Sequence, residues 1–153
     1  MTIENDFMLV SEANEEVIDR LIREQRLDAK EPNFGQTVLH LLLANFVLHL
    51  SDAGQRDETW LADIKKFATQ IIKVVTANPR LLDIADDEGV RPIVRMSSWC
   101  PVFARKPEKE TEMKAIDLIK TTAKQLLSYS NSPEASDKDK EAVVKIESQL
   151  SFG

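Results

Sequence analysis

The chain is poor in the residues that break, cross-link or flatten a fold. It has one cysteine in 153 residues, Cys100, so no internal disulfide can form. A lone thiol suits a reducing compartment. Four glycines and six prolines leave few breaks, and aromatic residues make up only 6%. Both shortages disfavour sandwiches and barrels. No long hydrophobic run exists. The most apolar stretch, 38–50, carries His40, Asn45 and His49 and falls well short of the roughly 20 apolar residues a membrane span needs. The opening residues, MTIENDF, have acids and no basic segment, so no secretory leader is expected. A basic stripe is missing too. The formal charge is −6, which repels a phosphate backbone and makes nucleic acid a poor partner.

Hydrophobic residues are 42% and charged residues 30%, enough to fold one domain around a real core. The apolar spacing predicts an all-α chain. Asn14 is placed to cap a helix whose inner face is Val17, Ile18, Leu21 and Ile22. Thr37 caps a leucine-rich second helix reaching about residue 50. Asp57 caps a third, in which Trp60, Leu61, Ile64, Phe67, Ile71 and Val75 recur for nearly five turns before Asn78-Pro79 stops it. Pro92 opens a short fourth helix. A fifth runs over 108–129. Residues 131–139 read as a polar linker, followed by a weak helix holding Val143, Ile146 and Leu150. Residues 1–130 are thus expected to form one domain, and 131–153 a linker and tail.

The pattern repeats with a period of 54. Gly35 then falls on Gly89, Arg26-Leu27 on Arg80-Leu81, Ile64 on Leu118 and Pro79 on Pro133. Helical amphipathicity alone aligns at many offsets, but it does not bring glycine, proline and the Arg-Leu pair into register together. The segment Asn33-Phe34-Gly35-Gln36-Thr37-Val38-Leu39-His40 resembles the ankyrin signature, in which a turn glycine precedes Thr-Pro-Leu-His at the start of an inner helix. Asp86-Asp87-Glu88-Gly89-Val90-Arg91-Pro92-Ile93 is similar to the same segment one repeat later. The resemblance departs at Val38 for proline, Arg91 for threonine and Val94 for histidine. Its period also exceeds the usual ~33 residues. It implies a short helical-hairpin array with extra terminal helices, a histidine tying neighbouring turns together, and a protein-binding role without chemistry. The lone thiol and the lack of a leader make a cytoplasmic setting the expectation; related proteins of this size include intracellular bacterial effectors and their regulators, so the resemblance implies a host's cytosol if this is an effector.

Candidate chemistry is sparse. His40 and His49 point to different helix faces and cannot share a metal. Nothing around Cys100 matches a nucleophile signature, and a buried thiol is the simpler reading. Asp83, Asp86, Asp87 and Glu88 lack the spaced ligands of a calcium loop and read as a solvated acidic turn contributing little to folding. No glycine loop cradles a phosphate, and no cofactor or metal is expected. Large apolar groups at Trp99 and Phe103 are either core or partner contacts. Two functional readings follow. In the first, a protein with a basic patch docks on the turn tips and the concave inner-helix face, through Asn33, Phe34, Asp86, Asp87, Glu88, Arg91, Trp99 and Phe103. In the second, a small enzyme or enzyme subunit uses Cys100 or the acidic turn.

Overall fold

The computed structural model describes residues 3–51, 56–101, 107–129 and 133–151. Seven α-helices follow in order among the described residues: α1 (Ile3–Ser11), α2 (Glu15–Arg23), α3 (Val38–Leu48), α4 (Glu58–Ala77), α5 (Pro92–Trp99), α6 (Glu110–Leu127) and α7 (Pro133–Gln149). One-turn 3₁₀ segments follow α3 at His49–Ser51 and α4 at Pro79–Asp83. No strand occurs among the described residues, and none of their helices is long and apolar enough to cross a membrane.

Local chemistry explains most boundaries. The Asn14 side chain accepts the Val17 N–H at 3.1 Å, and Asp57 accepts that of Trp60 at 3.1 Å. Each satisfies a backbone donor left free in the first helical turn. Pro92 occupies the first turn of α5, where its missing N–H costs nothing. The ends of α1 and α2 carry no such flag. Ala13 and Gln25 adopt φ of 58° and 56°. At α1, Ala13 N–H donates to Val10 O and Asn14 N–H to Leu9 O; at α2, Gln25 N–H donates to Ile22 O and Arg26 N–H to Leu21 O. Both are Schellman closures made without the usual glycine.

The helices form two rows. α1, α3, α5 and α7 pack side by side in that order, and α2, α4 and α6 form the row behind. α3 rests on α4 and α6 on α7. Phe46, Leu39, Leu42, Leu43, Ile64 and Ile71 are fully buried between them. α3 is apolar nearly all round because it has neighbours on three sides, which a surface helix does not. His49 closes its end: Nδ1 lies 2.7 Å from Asn45 O, and the ring packs 4.8 Å from that of Phe67.

Two segments differ from the sequence reading. α1 was not expected; Phe7 and Val10 are buried on it, but its short apolar pattern ends at Ala13 without a breaker. The stretch read as a polar linker over 131–139 is helical from Pro133 onward. Its acid at Asp139 points inward, fully buried beside Arg91, while Ala142, Val143, Ile146 and Leu150 join the core. An acidic position that faces a buried arginine reads as solvated in sequence.

Candidate partner-binding surface

Two turns, one ahead of α3 and one ahead of α5, present the candidate residues. In the first, the buried Glu31 carboxylate accepts three backbone N–H bonds: Asn33 at 2.8 Å, Phe34 at 2.6 Å and Gln36 at 3.2 Å. Glu31 N–H donates to Gln36 O and Gly35 N–H to Glu31 O. Gly35 takes φ +68°, a value that costs a residue with a Cβ. This clamp leaves Asn33 exposed and Phe34 62% exposed on a turn held by several hydrogen bonds.

The second turn is built around Asp86. Its carboxylate accepts the N–H of Glu88 at 2.9 Å and of Val90 at 3.0 Å, while Gly89 sits at φ +77°. The turns are joined directly. Asp87 N–H donates to Phe34 O at 2.9 Å, and Lys30 Nζ donates to Ala85 O at 2.9 Å. His40 completes the link. Its Nδ1 faces the Thr37 N–H at 3.2 Å and the Thr37 hydroxyl at 3.0 Å, and its Nε2 lies 2.9 Å from Val90 O. An Nδ1 that accepts from Thr37 leaves the proton on Nε2, where it donates to Val90 O. Burial holds the His40 pKa below its ordinary value, outweighing the opposing Val90 bond and Asp86 charge.

Two residues expected on the binding surface lie inside instead. Asp86 is buried, and Arg95 grips it through Nε at 3.2 Å and Nη2 at 2.8 Å. Burial raises the Asp86 pKa, but Arg95 and the two N–H donors outweigh it and hold the carboxyl below its ordinary value. The bond to Asp86 raises the Arg95 pKa in turn. The acidic turn is therefore not simply solvated: its central carboxylate organises the backbone and is neutralised by a cation from α5. Arg91 is also buried. It donates twice to Leu82 O, at 3.1 and 2.9 Å, and pairs with Asp83 at 3.1 Å and Asp139 at 2.8 Å. The side chain in the threonine position of the signature thus binds α7 rather than solvent. Asp87 and Glu88 remain exposed. Trp99 is 50% exposed at the end of α5. Phe103 lies outside the described residues.

Beside Phe34, a groove of about 300 Å³ runs between α1 and the first turn, lined by Phe7, Met8, Pro32, Phe34 and Leu41. Met8 is exposed, as are Leu48 near the end of α3 and Trp99 at the end of α5. Larger clefts of about 430 and 600 Å³ lie elsewhere around Asp28 and Asn78, and the described residues that line them include no aromatic. No group of three His, Cys, Asp or Glu among the described residues is arranged to hold a metal. Cys100 is buried, which pushes its thiol up to about 12 and disfavours the thiolate form on which cysteine reactivity depends.

Sequence reasoning did not pick out Glu31, Met8, Leu41, Arg95 or Asp139. Glu31 had a signal: a carboxylate two residues before an Asn-Phe-Gly turn can fold back on its own backbone. Met8 and Leu41 gain their setting only with α1 in place and Asp139 only with α7, while Arg95 is marked out by its pairing with Asp86. Compared with family models, curated proteins and solved structures, the chain has no significant match in any of the three.

Proposed function

We propose that the chain is a protein–protein interaction module, an adaptor, regulator or inhibitor without catalysis. It engages its partner through the turn tips and the exposed face of the row α1, α3 and α5. One observation carries this reading: the Phe34 ring stands in solvent on a turn fixed by three bonds to Glu31 and one to Asp87. A large apolar group held rigidly outward makes little contribution to folding, whereas a rigid aromatic anchor loses little entropy when it binds. The reading places Phe34, Asn33, Asp87, Glu88 and Trp99 at the contact, with a basic patch on the partner and a cytoplasmic site of action. Asp86 and Arg91 support the surface from beneath.

The same proposal includes an ankyrin-like repeat with a period of 54. Supporting it, α3 and α5 begin at Val38 and Pro92, α2 and α4 end at Arg23 and Ala77, and a positive-φ glycine precedes α3 and α5 by the same interval. The His40 bond to the neighbouring turn fits the role the signature gives that histidine. The burial and raised pKa of Cys100 argue against the alternative of a cysteine enzyme.

Photo-crosslinking tests the surface. A benzoylphenylalanine placed at Phe34 or Trp99 is expected to capture one partner protein in cells, and the same probe at Thr121 on α6 is expected to capture none. Capture from position 121 alone would move the binding face to the other row.

A further inference from the structure

Resting on the interaction-module reading, the geometry points to the class of group the tip receives. We infer that a cationic side chain of the partner, arginine or lysine, seats against the Phe34 ring and the Asp87 carboxylate, while an adjoining apolar residue enters the groove of Met8, Pro32 and Leu41.

The inference starts from the charges at the tip. The Glu31 carboxylate holds three N–H groups. That of Asp86 holds two N–H groups and Arg95, and that of Glu88 meets Arg95 at 3.4 Å. Lys30, the cation of the first turn, reaches Ala85 O. Among the described residues, no cation or N–H pairs with the Asp87 carboxylate. That carboxylate rests against Gly35, the residue after Phe34, so closely that a side chain at position 35 would collide with it. The Asp87 N–H to Phe34 O bond prevents the two residues from separating. An exposed aromatic residue and an unpaired carboxylate are thus held on two turns tied at Phe34 O and Gly35.

That pair matches the chemistry of a cation. The ring face attracts positive charge through its quadrupole, and the carboxylate supplies a charge-assisted hydrogen bond. A chain of net charge −6 adds long-range attraction for a basic segment. The same charge disfavours a second copy of this chain as the occupant, because a two-fold pairing of tips would set Asp87 and Glu88 against their own counterparts.

A random peptide library displayed on phage and panned on the full chain supplies the probe, with affinities of synthetic copies of the winners read by fluorescence anisotropy. Winners are expected to carry Arg or Lys next to an apolar residue. Asp87→Asn, which keeps the side-chain shape, and Phe34→Ala are each expected to weaken them about tenfold, with melting temperatures held near the parent's. Replacing the peptide's basic residue by Gln should give a similar loss. Winners without a basic residue, or binding that needs Phe34 but ignores Asp87, would overturn the cation assignment and leave the module reading standing. Indifference to both substitutions, or a panning that enriches nothing, would remove both. Self-association of the parent that Phe34→Ala abolishes would overturn the assignment in favour of a second copy.

Discussion

His40 and Val90, fifty residues apart, are joined by a 2.9 Å bond from the imidazole Nε2 to the backbone carbonyl that immediately precedes Arg91. The other ring nitrogen is held by Thr37 at the start of α3. One buried neutral ring thereby fixes a helix start and the adjacent turn at once. His40→Ala should destabilise the chain by about 1–3 kcal/mol, since the Val90 carbonyl and Thr37 N–H lose their partner in a buried setting. The pH dependence has a definite sign. The folded-state pKa lies below the ordinary 6.5, so this contribution is present above 6.5 and is lost as pH falls through the folded value. Urea unfolding across pH 5–8 should show a flatter acid limb in His40→Gln than in the parent. An identical slope in both would place the ring in solvent.

The Asp86–Arg95 pair makes the acidic turn a stability element. Reading the turn as solvated implies that Asp86→Lys with Glu88→Lys leaves the melting temperature nearly unchanged; the structure reverses that. Asp86→Lys should cost roughly 3–5 kcal/mol, because it strands Arg95 and two N–H groups and inserts a second cation. Glu88→Lys alone should stay within about 0.5 kcal/mol, as expected of a 71% exposed side chain at 3.4 Å. The Asp86 pKa lies below its ordinary 3.8, so its contribution is present above 3.8 and lost as pH falls further, through the folded-state value. Thermal melts of the two single variants separate the cases, and equal melts would return Asp86 to the surface.

How much of this was legible in the sequence depended on the kind of signal. Asn14, Thr37, Asp57 and Pro92 announce helix starts because capping is local chemistry, and all four starts fall where those residues predict. Helix ends at Ala13 and Gln25 were hidden, since a left-handed residue with a Cβ is selected by tertiary packing rather than by propensity. Charges were read least well. Asp86, Arg91 and Asp139 look alike to any exposed residue of their type, and only the approach of α5 and α7 turns them inward. Phe34 was legible as a tip residue because the Asn-Phe-Gly turn places it, but its free neighbour Asp87 became distinct from Asp86 only once each carboxylate's partners were known.

Asp139 titrates in an unusual range. It is fully buried on α7, and burial, which outweighs the attraction of Arg91, pushes its carboxyl from 3.8 up to about 6. Among the described residues, one of its oxygens, Oδ1, and Arg91 Nη1 have no hydrogen-bond partner. A raised folded-state pKa means that the group's contribution is fully present below 3.8 and is lost as pH rises through about 6, the reverse of His40. Raising a carboxyl from 3.8 to about 6 makes its ionisation harder by roughly 3 kcal/mol. The unfolding free energy of Asp139→Asn minus that of the parent should therefore rise by up to about that amount from pH 4 to pH 7, with the His40 contribution cancelling in the difference. A difference that stays flat over this window would mean that Asp139 ionises normally and that Arg91 compensates its burial in full.

Gly35 and Gly89 separate backbone strain from crowding. Both hold positive φ, +68° and +77°, but an added Cβ at Gly89 meets open space whereas one at Gly35 runs into the Asp87 carboxylate and close to its backbone nitrogen. Gly89→Ala should therefore cost only the left-handed conformation, about 1–2 kcal/mol. Gly35→Ala carries the same cost and must also push Asp87 aside, which strains the bond between Asp87 N–H and Phe34 O that ties the two turns. It should be the more damaging by about 1 kcal/mol or more. It should also shift the amide resonances of Asp87 and Glu88, which Gly89→Ala moves only through its own turn. Chemical denaturation ranks the two variants, and two-dimensional amide spectra locate the disturbance. Equal costs, with no change at Asp87 in the position-35 variant, would mean that the tips are not held together as the structure places them, and the fixed pairing of Phe34 with Asp87 would lose its basis.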